Sequence, residues 1–168
     1  MNRLIIILLT ITSLTSCFKK GENSNTTEAI FSIYNFEELK PVLEPKDDAT
    51  YIINFWATWC KPCIEELPIF QEIHDEYRSK NVKVILVSLD FPEKIETQLR
   101  PFIAEHKLTP RIILLDDPHE NEWIPKIDPE WSGALPATLI YTKNKRAFYE
   151  QSFTKEALLE ELKKFTKL

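Results

Sequence analysis

Two cysteines separated by two residues, Cys60 and Cys63, are the side chains of this sequence best suited to chemistry. They follow a continuous apolar run at 51–56, typical of a strand buried on both faces, and they open a segment with helical spacing of apolar residues. The amino end of a helix favours a thiolate at Cys60, because its backbone N–H groups and its dipole attract negative charge. A ring this small restricts the unfolded chain little, so the pair is better suited to redox exchange than to stabilisation.

A Cys-x-x-Cys pair can also supply half of a zinc or copper site, which usually needs two further ligands. The candidates are His74, His106 and His119, and none of them lies at a metal-like spacing from the pair. Each histidine is instead expected at the surface. We therefore expect no metal ion, and no cofactor other than the Cys60–Cys63 disulfide itself. A metal carrier and a purely structural disulfide remain alternatives.

The rest of the chain predicts alternating strands and helices, then a hairpin and a closing helix. Asn35 and Glu38 suit a capping box at a helix start, and Thr154 suits the cap of the last helix. Strands are predicted at 30–34, 51–56, 82–89, 112–115, 137–142 and 147–151, and helices at 35–43, 60–79, 92–106 (with a break near residue 101) and from 154 onward. Pro68 should kink the second helix, and residues 116–133 are predicted to be irregular. This order indicates an α/β domain with a mixed sheet.

The ten residues 54–63, NFWATWCKPC, resemble the active-site segment of the thioredoxin superfamily. More closely, they are similar to that of the TlpA/ResA-like periplasmic thiol-disulfide oxidoreductases. The resemblance covers roughly residues 30–168, the whole predicted domain. It implies a thioredoxin fold, in which helices flank a mixed central β-sheet, and it implies an enzyme of the protein-disulfide reductase type.

A carboxylate one turn beyond the second cysteine also matches this family, because residues 63–68 fit its CxxExP pattern. Asn54 stands where cytosolic thioredoxins carry a buried aspartate, and an amide cannot take up a proton. The resemblance therefore implies that Glu66 is the acid/base group beside Cys63. A partly desolvated carboxylate near two sulfurs would have a raised pKa, whereas the adjacent Glu65 is expected to be a solvated helix charge.

The segment 133–138, GALPAT, resembles the cis-proline loop of the superfamily. This resemblance implies a cis bond before Pro136, which would pack on the disulfide, and main-chain hydrogen bonds from Leu135 to the substrate backbone. Trp59 is expected to cover the site and to form part of the docking surface. The family often has Thr directly after the proline, and Ala137 in this chain bears on the choice of partner.

The amino terminus predicts an export and anchoring signal. Arg3 precedes an uncharged apolar run at 4–14, which is shorter than the roughly 20 residues of a membrane-spanning helix. The run leads to Cys17 in a pattern that resembles a bacterial lipobox. We therefore expect a lipoprotein signal peptide at 1–16, a lipidated Cys17 with a flexible tether at 17–29, and a folded domain at 30–168. The protein would face the periplasm from a membrane of the bacterial envelope.

Composition excludes several other classes of protein. A length of 168 residues suits one ordinary domain, and a net charge of −5 argues against a nucleic-acid partner. Two glycines exclude Gly-rich phosphate loops, and three cysteines are too few for a disulfide scaffold. We expect a monomer.

The predicted activity is exchange of a dithiol with protein disulfides outside the cytoplasm. Cys60 would attack the substrate and Cys63 would resolve the mixed disulfide. The resemblance favours the reducing direction, with apocytochrome c or other periplasmic disulfides as substrates and a membrane thiol protein as electron donor. A net disulfide oxidase or a thiol peroxidase on the same fold is an alternative, although the sequence lacks the Thr/Ser-x-x-Cys site with an arginine that is usual in a peroxidase.

Overall fold

The computed structural model describes residues 31–44 and 46–167 and is built around a mixed six-stranded sheet. The strands are β1 (Phe31–Tyr34), β2 (Thr50–Trp56), β3 (Val82–Ser88), β4 (Arg111–Leu115), β5 (Ala137–Tyr141) and β6 (Arg146–Tyr149). Their order is β1-β4-β3-β2-β5-β6, with β1, β4, β3 and β2 parallel and β5 and β6 antiparallel to their neighbours. The predicted mixed sheet is confirmed. The predicted signal peptide, Cys17 and the tether lie outside the described residues.

Five helices cover the two faces of this sheet. They are α1 (Phe36–Leu39), α2 (Lys61–Tyr77), α3 (Arg100–Glu105), α4 (Glu120–Ile127) and α5 (Lys155–Lys163). Helices α2, α3 and α5 contribute buried residues to one apolar cluster, and α1 and α4 contribute to the other. None of the helices in the described part of the chain is long and apolar enough to cross a membrane.

Local sequence signals set the helix starts. The Asn35 side chain accepts a hydrogen bond from Glu38 N, and the Glu38 carboxylate accepts one from Asn35 N, each at 3.0 Å. Thr154 Oγ1 accepts from Ala157 N at 3.2 Å. Both predicted caps are confirmed, because each satisfies backbone donors that a first helical turn leaves without partners. The break predicted near residue 101 is a π-helical turn, Ile95–Leu99, directly before α3.

The prediction that residues 116–133 are irregular is wrong, because they contain the two-turn helix α4. Trp123 and Ile127 lie one turn apart on its buried face. Trp123 packs against Phe36 and Trp131, with ring centroids 6.3 Å and 5.9 Å apart. So short a segment, with Pro125 inside it, has little helical signal of its own, and its tertiary packing stabilises it instead.

The alternation of side chains along β2 decides which residues reach the site. Ile52 and Trp56 belong to the cluster under α2, and Ile53 and Phe55 belong to the opposite cluster. Since side chains alternate with a period of two, Asn54 lies on the α2 face of the sheet. This places a buried amide directly beneath the helix that begins at the cysteines.

Candidate active site

The two cysteines form a disulfide at the amino end of α2, where β2 has just ended. The Cα atoms of Cys60 and Cys63 are 5.3 Å apart, and Cys60 is the N-cap residue of the helix. Its Sγ accepts a hydrogen bond from Cys63 N at 3.3 Å. Cys60 is 6% exposed and Cys63 is fully buried. The geometry therefore supports a thiolate at Cys60 after reduction, and it gives access to that sulfur first.

The loop before β5 lies at the same end of the sheet as the disulfide. The Leu135–Pro136 peptide bond is cis, as the family resemblance implied. Antiparallel pairing sets Ala137 opposite Phe55, so Pro136 lies beside the end of β2 that leads to Cys60. Trp131 Nε1 donates to the carbonyl oxygen of Ala134 at 2.9 Å and holds the loop in place. Leu135 stays partly exposed, with its main chain at this surface.

The carboxylate of Glu66 is buried one helical turn beyond Cys63. Its Oε1 accepts from Asn54 Nδ2 at 2.9 Å, and its Oε2 accepts from Phe153 N at 2.8 Å. Asn54 Nδ2 also donates to Thr138 Oγ1 at 3.2 Å. Burial raises the pKa of Glu66 above its ordinary value, and the two hydrogen bonds from Phe153 and Asn54 oppose that rise. The carboxylate of Glu66 is thus fixed by two donors at the inward face of α2.

The neighbouring Glu65 is exposed and lies 3.8 Å from Lys61 in an i,i+4 ion pair. The contrast follows from helix geometry, because residues 63, 66 and 67 share the inward face of α2 and residue 65 points away from it. The expectation of a solvated charge at Glu65 is confirmed.

A second buried carboxylate, Asp90, was missed by the sequence reasoning. It follows β3 and accepts hydrogen bonds from Thr58 N at 3.1 Å, from Thr58 Oγ1 at 2.5 Å and from Ser88 Oγ at 2.8 Å. It therefore ties the loop before Cys60 to the carboxyl end of β3. The available signal was topological, since the carboxyl ends of neighbouring parallel strands lie at the same edge of a sheet.

Two exposed aromatic side chains flank this tie. Trp59 directly follows Thr58 and is 58% exposed, and Phe91 directly follows Asp90 and is 57% exposed. Both residues lie beyond the paired strand ends Trp56 and Ser88, at the edge of the sheet that leads to Cys60. Trp59 was expected there, whereas Phe91 was not singled out by the sequence.

The histidines lie apart from the cysteines in the fold. His106 and His119 are exposed, as expected. His74 is partly exposed, and its Nδ1 is buried. Across residues 31–44 and 46–167, no three His, Cys, Asp or Glu side chains cluster so as to hold a metal ion.

A thioredoxin fold with a Cys-x-x-Cys disulfide at a helix start defines the class of thiol-disulfide oxidoreductases. The chain belongs to the AhpC/TSA family, which matches residues 38–146. It is 34% identical over 117 residues to thiol-disulfide oxidoreductase ResA of Oceanobacillus iheyensis, a match of 64% of this chain and 56% of that protein. It is 31% identical to sporulation thiol-disulfide oxidoreductase A of Bacillus subtilis, covering 67% of this chain and 70% of the relative.

Among solved structures, StoA from Bacillus subtilis matches with a TM-score of 0.53 and 25% identity, over 73% of this chain and 86% of that one. These findings confirm the predicted family and the thioredoxin fold. The match to the ResA relative spans little more than half of its length.

Proposed function

We propose that this protein exchanges electrons between its Cys60–Cys63 pair and disulfides in protein substrates. The observation that carries the proposal is the disulfide at the amino end of α2, in which Cys60 is 6% exposed and Cys63 is fully buried. This asymmetry suits a pair in which the sulfur of Cys60 attacks the substrate and the buried sulfur of Cys63 resolves the mixed disulfide. The relatives named thiol-disulfide oxidoreductases support the same activity.

The reaction runs through a mixed disulfide. The Cys60 thiolate attacks one substrate sulfur, forms a Cys60–substrate bond and releases the other substrate sulfur, which takes up a proton. The Cys63 thiolate then attacks Cys60 Sγ, re-forms the protein disulfide and releases the second substrate thiolate. Two electrons pass from the dithiol to the substrate, so a second dithiol must reduce the protein again.

Glu66 accepts the proton that Cys63 gives up before this second attack. Both residues are buried and lie one turn apart on the inward face of α2. The raised pKa of Glu66 makes its carboxylate a better base than an exposed one. Asn54 holds the carboxylate in position without competing for the proton.

Substrate binds at the edge formed by the cis-proline loop and the exposed tryptophan. The main chain of Leu135 pairs with the extended substrate backbone, Pro136 packs beside the disulfide, and Trp59 covers the substrate segment. This surface needs no bound cofactor, because the cysteine pair itself carries the electrons.

The cellular setting that we propose is the bacterial envelope. A lipid on Cys17 would anchor the protein to a membrane with its domain in the periplasm, acting as a monomer. There it would reduce disulfides such as those of apocytochrome c, and a membrane thiol protein would supply the electrons. A structural neighbour described as a secreted thiol-disulfide isomerase, from Corynebacterium glutamicum, shares the fold.

The decisive experiment is capture of the mixed disulfide in the native host. Cys63→Ser should accumulate a covalent substrate adduct through Cys60, because the resolving thiol is gone. Cys60→Ser, with Cys63 buried, is the matched control and should capture far less. Absence of any adduct from the well-expressed Cys63→Ser protein, seen by non-reducing electrophoresis, would count against the mechanism.

The anchor is tested separately through Cys17→Ser. We expect the variant to lose labelling by a radioactive fatty acid and to leave the membrane fraction, while exchange activity is retained. Unchanged labelling or membrane association of the variant would contradict lipidation at this residue.

A further inference from the structure

A cavity of about 370 Å³ lies at the end of the sheet away from the disulfide. It forms where β3 extends past β4, since pairing between these strands begins only at Ile85 and Arg111. The preceding stretch of β3, from Val82 to Val84, pairs with β2 on its other side. Helix α2 closes one side of the cavity, and the segment after α1 closes the other.

The lining of this cavity is strongly cationic. Lys46, Arg78, Lys83 and Arg111 line it, against one carboxylate, that of Glu44. This contrasts with the whole protein, whose net charge is −5. A cluster of positive charge on an acidic protein attracts anions, and binding of an anion would explain why the cluster is there.

Some of these cations already have partners, and others do not. Lys83 pairs with Asp47 at 2.5 Å, and Arg111 donates to the hydroxyl of Tyr34 at 2.6 Å. Arg78 and Lys46 form no ion pair with the residues that the structure describes. The cavity therefore keeps more positive charge than Glu44 and Asp47 neutralise.

His74 also lines the cavity, but its Nδ1 is buried and not exposed to the open volume. Burial lowers the pKa of His74, which disfavours a positive charge on this ring. The ring is therefore a neighbour of the cavity and not one of the cations that attract an anion to it.

The floor of the cavity is apolar. Val42, Val82 and Val84 contribute to it, together with the ring of Tyr51. A bare inorganic anion would leave this surface uncovered, whereas an organic phosphate would place carbon against it. Guanidinium and ammonium groups at the rim suit phosphate oxygens.

We propose that this cavity binds a phosphate group carried on an apolar body. The phosphate meets Arg78 and Lys46, and the apolar part lies on the valines. Two sources share this chemistry, a soluble phosphate ester and the headgroup of an acidic phospholipid. The lipid source is favoured on the basis of the proposed anchor at Cys17, because β1 is parallel to β4, β3 and β2, which places Phe31, the first described residue, at the cavity end of the sheet.

The test is titration of the full-length chain, in a nonionic detergent, with three probes followed by calorimetry. The probes are inorganic phosphate, phenyl phosphate and dihexanoyl phosphatidylglycerol. We expect both organic probes to bind at least about tenfold more tightly than inorganic phosphate, and the tighter of the two identifies the source. Equal affinity for all three, or no binding of either organic probe, would overturn the proposal.

Charge-matched variants locate the binding. Arg78→Ala should lower the affinity for the more tightly bound organic probe about tenfold, because hydrogen bonds to charged groups contribute about 1.5–3 kcal/mol. Lys46→Ala is a second variant in the lining of the cavity and should lower the same affinity. Lys163→Ala, on the exposed face of α5, removes the same charge elsewhere and should leave binding unchanged. Binding should also shift the NMR signals of His74 but not those of His106. Equal effects of Arg78→Ala and Lys163→Ala would contradict binding in this cavity.

Discussion

Asn54 and Glu66 are joined by a buried hydrogen bond of 2.9 Å, in which the amide of the central strand donates to the carboxylate of the helix that begins at the disulfide. The second oxygen of Glu66 accepts from the backbone of Phe153, just before α5. One carboxylate thus connects β2, α2 and the last loop. It is held by donors on both oxygens and is withdrawn from water.

Replacement of Glu66 tests its part in the exchange. Glu66→Gln should lower the rate of resolution by on the order of 10²-fold near neutral pH, because the amide cannot accept the proton of Cys63. The wild-type rate should rise with pH through a midpoint above the ordinary glutamate value, since burial raises the pKa of Glu66. The rate of Glu66→Gln should not show this rise with pH.

The measurement is stopped-flow exchange with a disulfide peptide across the acidic and neutral range. Glu65→Gln is the matched control, because it removes the same charge from an exposed position of the same helix. A pH profile that is identical in Glu66→Gln and wild type would exclude the carboxylate as the base.

Asn54→Asp would place a second carboxylate within hydrogen-bonding distance of Glu66. Two adjacent buried carboxylates cannot both ionise, so the pair would hold one proton at a raised pKa. At pH values above the ordinary pKa of a carboxyl group, the folded state would then bind more protons than the unfolded state. Stability should therefore fall as pH rises toward the raised pKa.

Urea unfolding measures this effect. We expect Asn54→Asp to lose about 2 kcal/mol or more relative to wild type at about pH 8, and less at about pH 5. Asn144→Asp, in the exposed hairpin turn, is the control for a new surface charge. A loss for Asn54→Asp that does not depend on pH would contradict shared protonation with Glu66.

Asp90→Ala tests the tie between β3 and the loop before Cys60. The change leaves Thr58 N and the Ser88 hydroxyl without their acceptor, and each unsatisfied buried group costs about 1–3 kcal/mol. We expect lower stability in urea and a reduced kcat, because the loop no longer holds Cys60 in place. Glu93→Ala removes an exposed carboxylate nearby and should change neither quantity. Normal kcat in a destabilised Asp90→Ala protein would restrict the role of this residue to folding.

The exposed aromatic pair should matter for protein substrates alone. Trp59→Ala and Phe91→Ala should each lower kcat/KM for a protein disulfide by about tenfold, because buried aromatic anchors supply much of the energy of an interface. The rate with a small disulfide such as oxidised glutathione should change little. Ile33→Ala, an exposed apolar residue on the edge strand β1, is the control. Equal losses with both substrates would point to a disturbed disulfide instead of a docking surface.

Much of this architecture could be predicted because its signals are local. The apolar run of β2, the capping box at Asn35 and the cap at Thr154 depend on neighbours within a few residues. Helix α4 could not be predicted in this way. Trp123 packs against Phe36, far away in the chain, and Ile127 belongs to the same buried cluster, whereas the intervening residues have no strong preference.

The sequence by itself determined the chemistry at Cys60 and Cys63, since two thiols at a helix start react according to their own spacing and backbone. Only the tertiary structure decided how the surroundings serve them. Asp90 approaches Thr58 because β2 and β3 are neighbours in one sheet, and Asn54 and Phe153 approach Glu66 because α2 packs on that sheet beside the loop before α5. Burial and hydrogen-bond partners are properties of that assembled sheet, so no local pattern contains them.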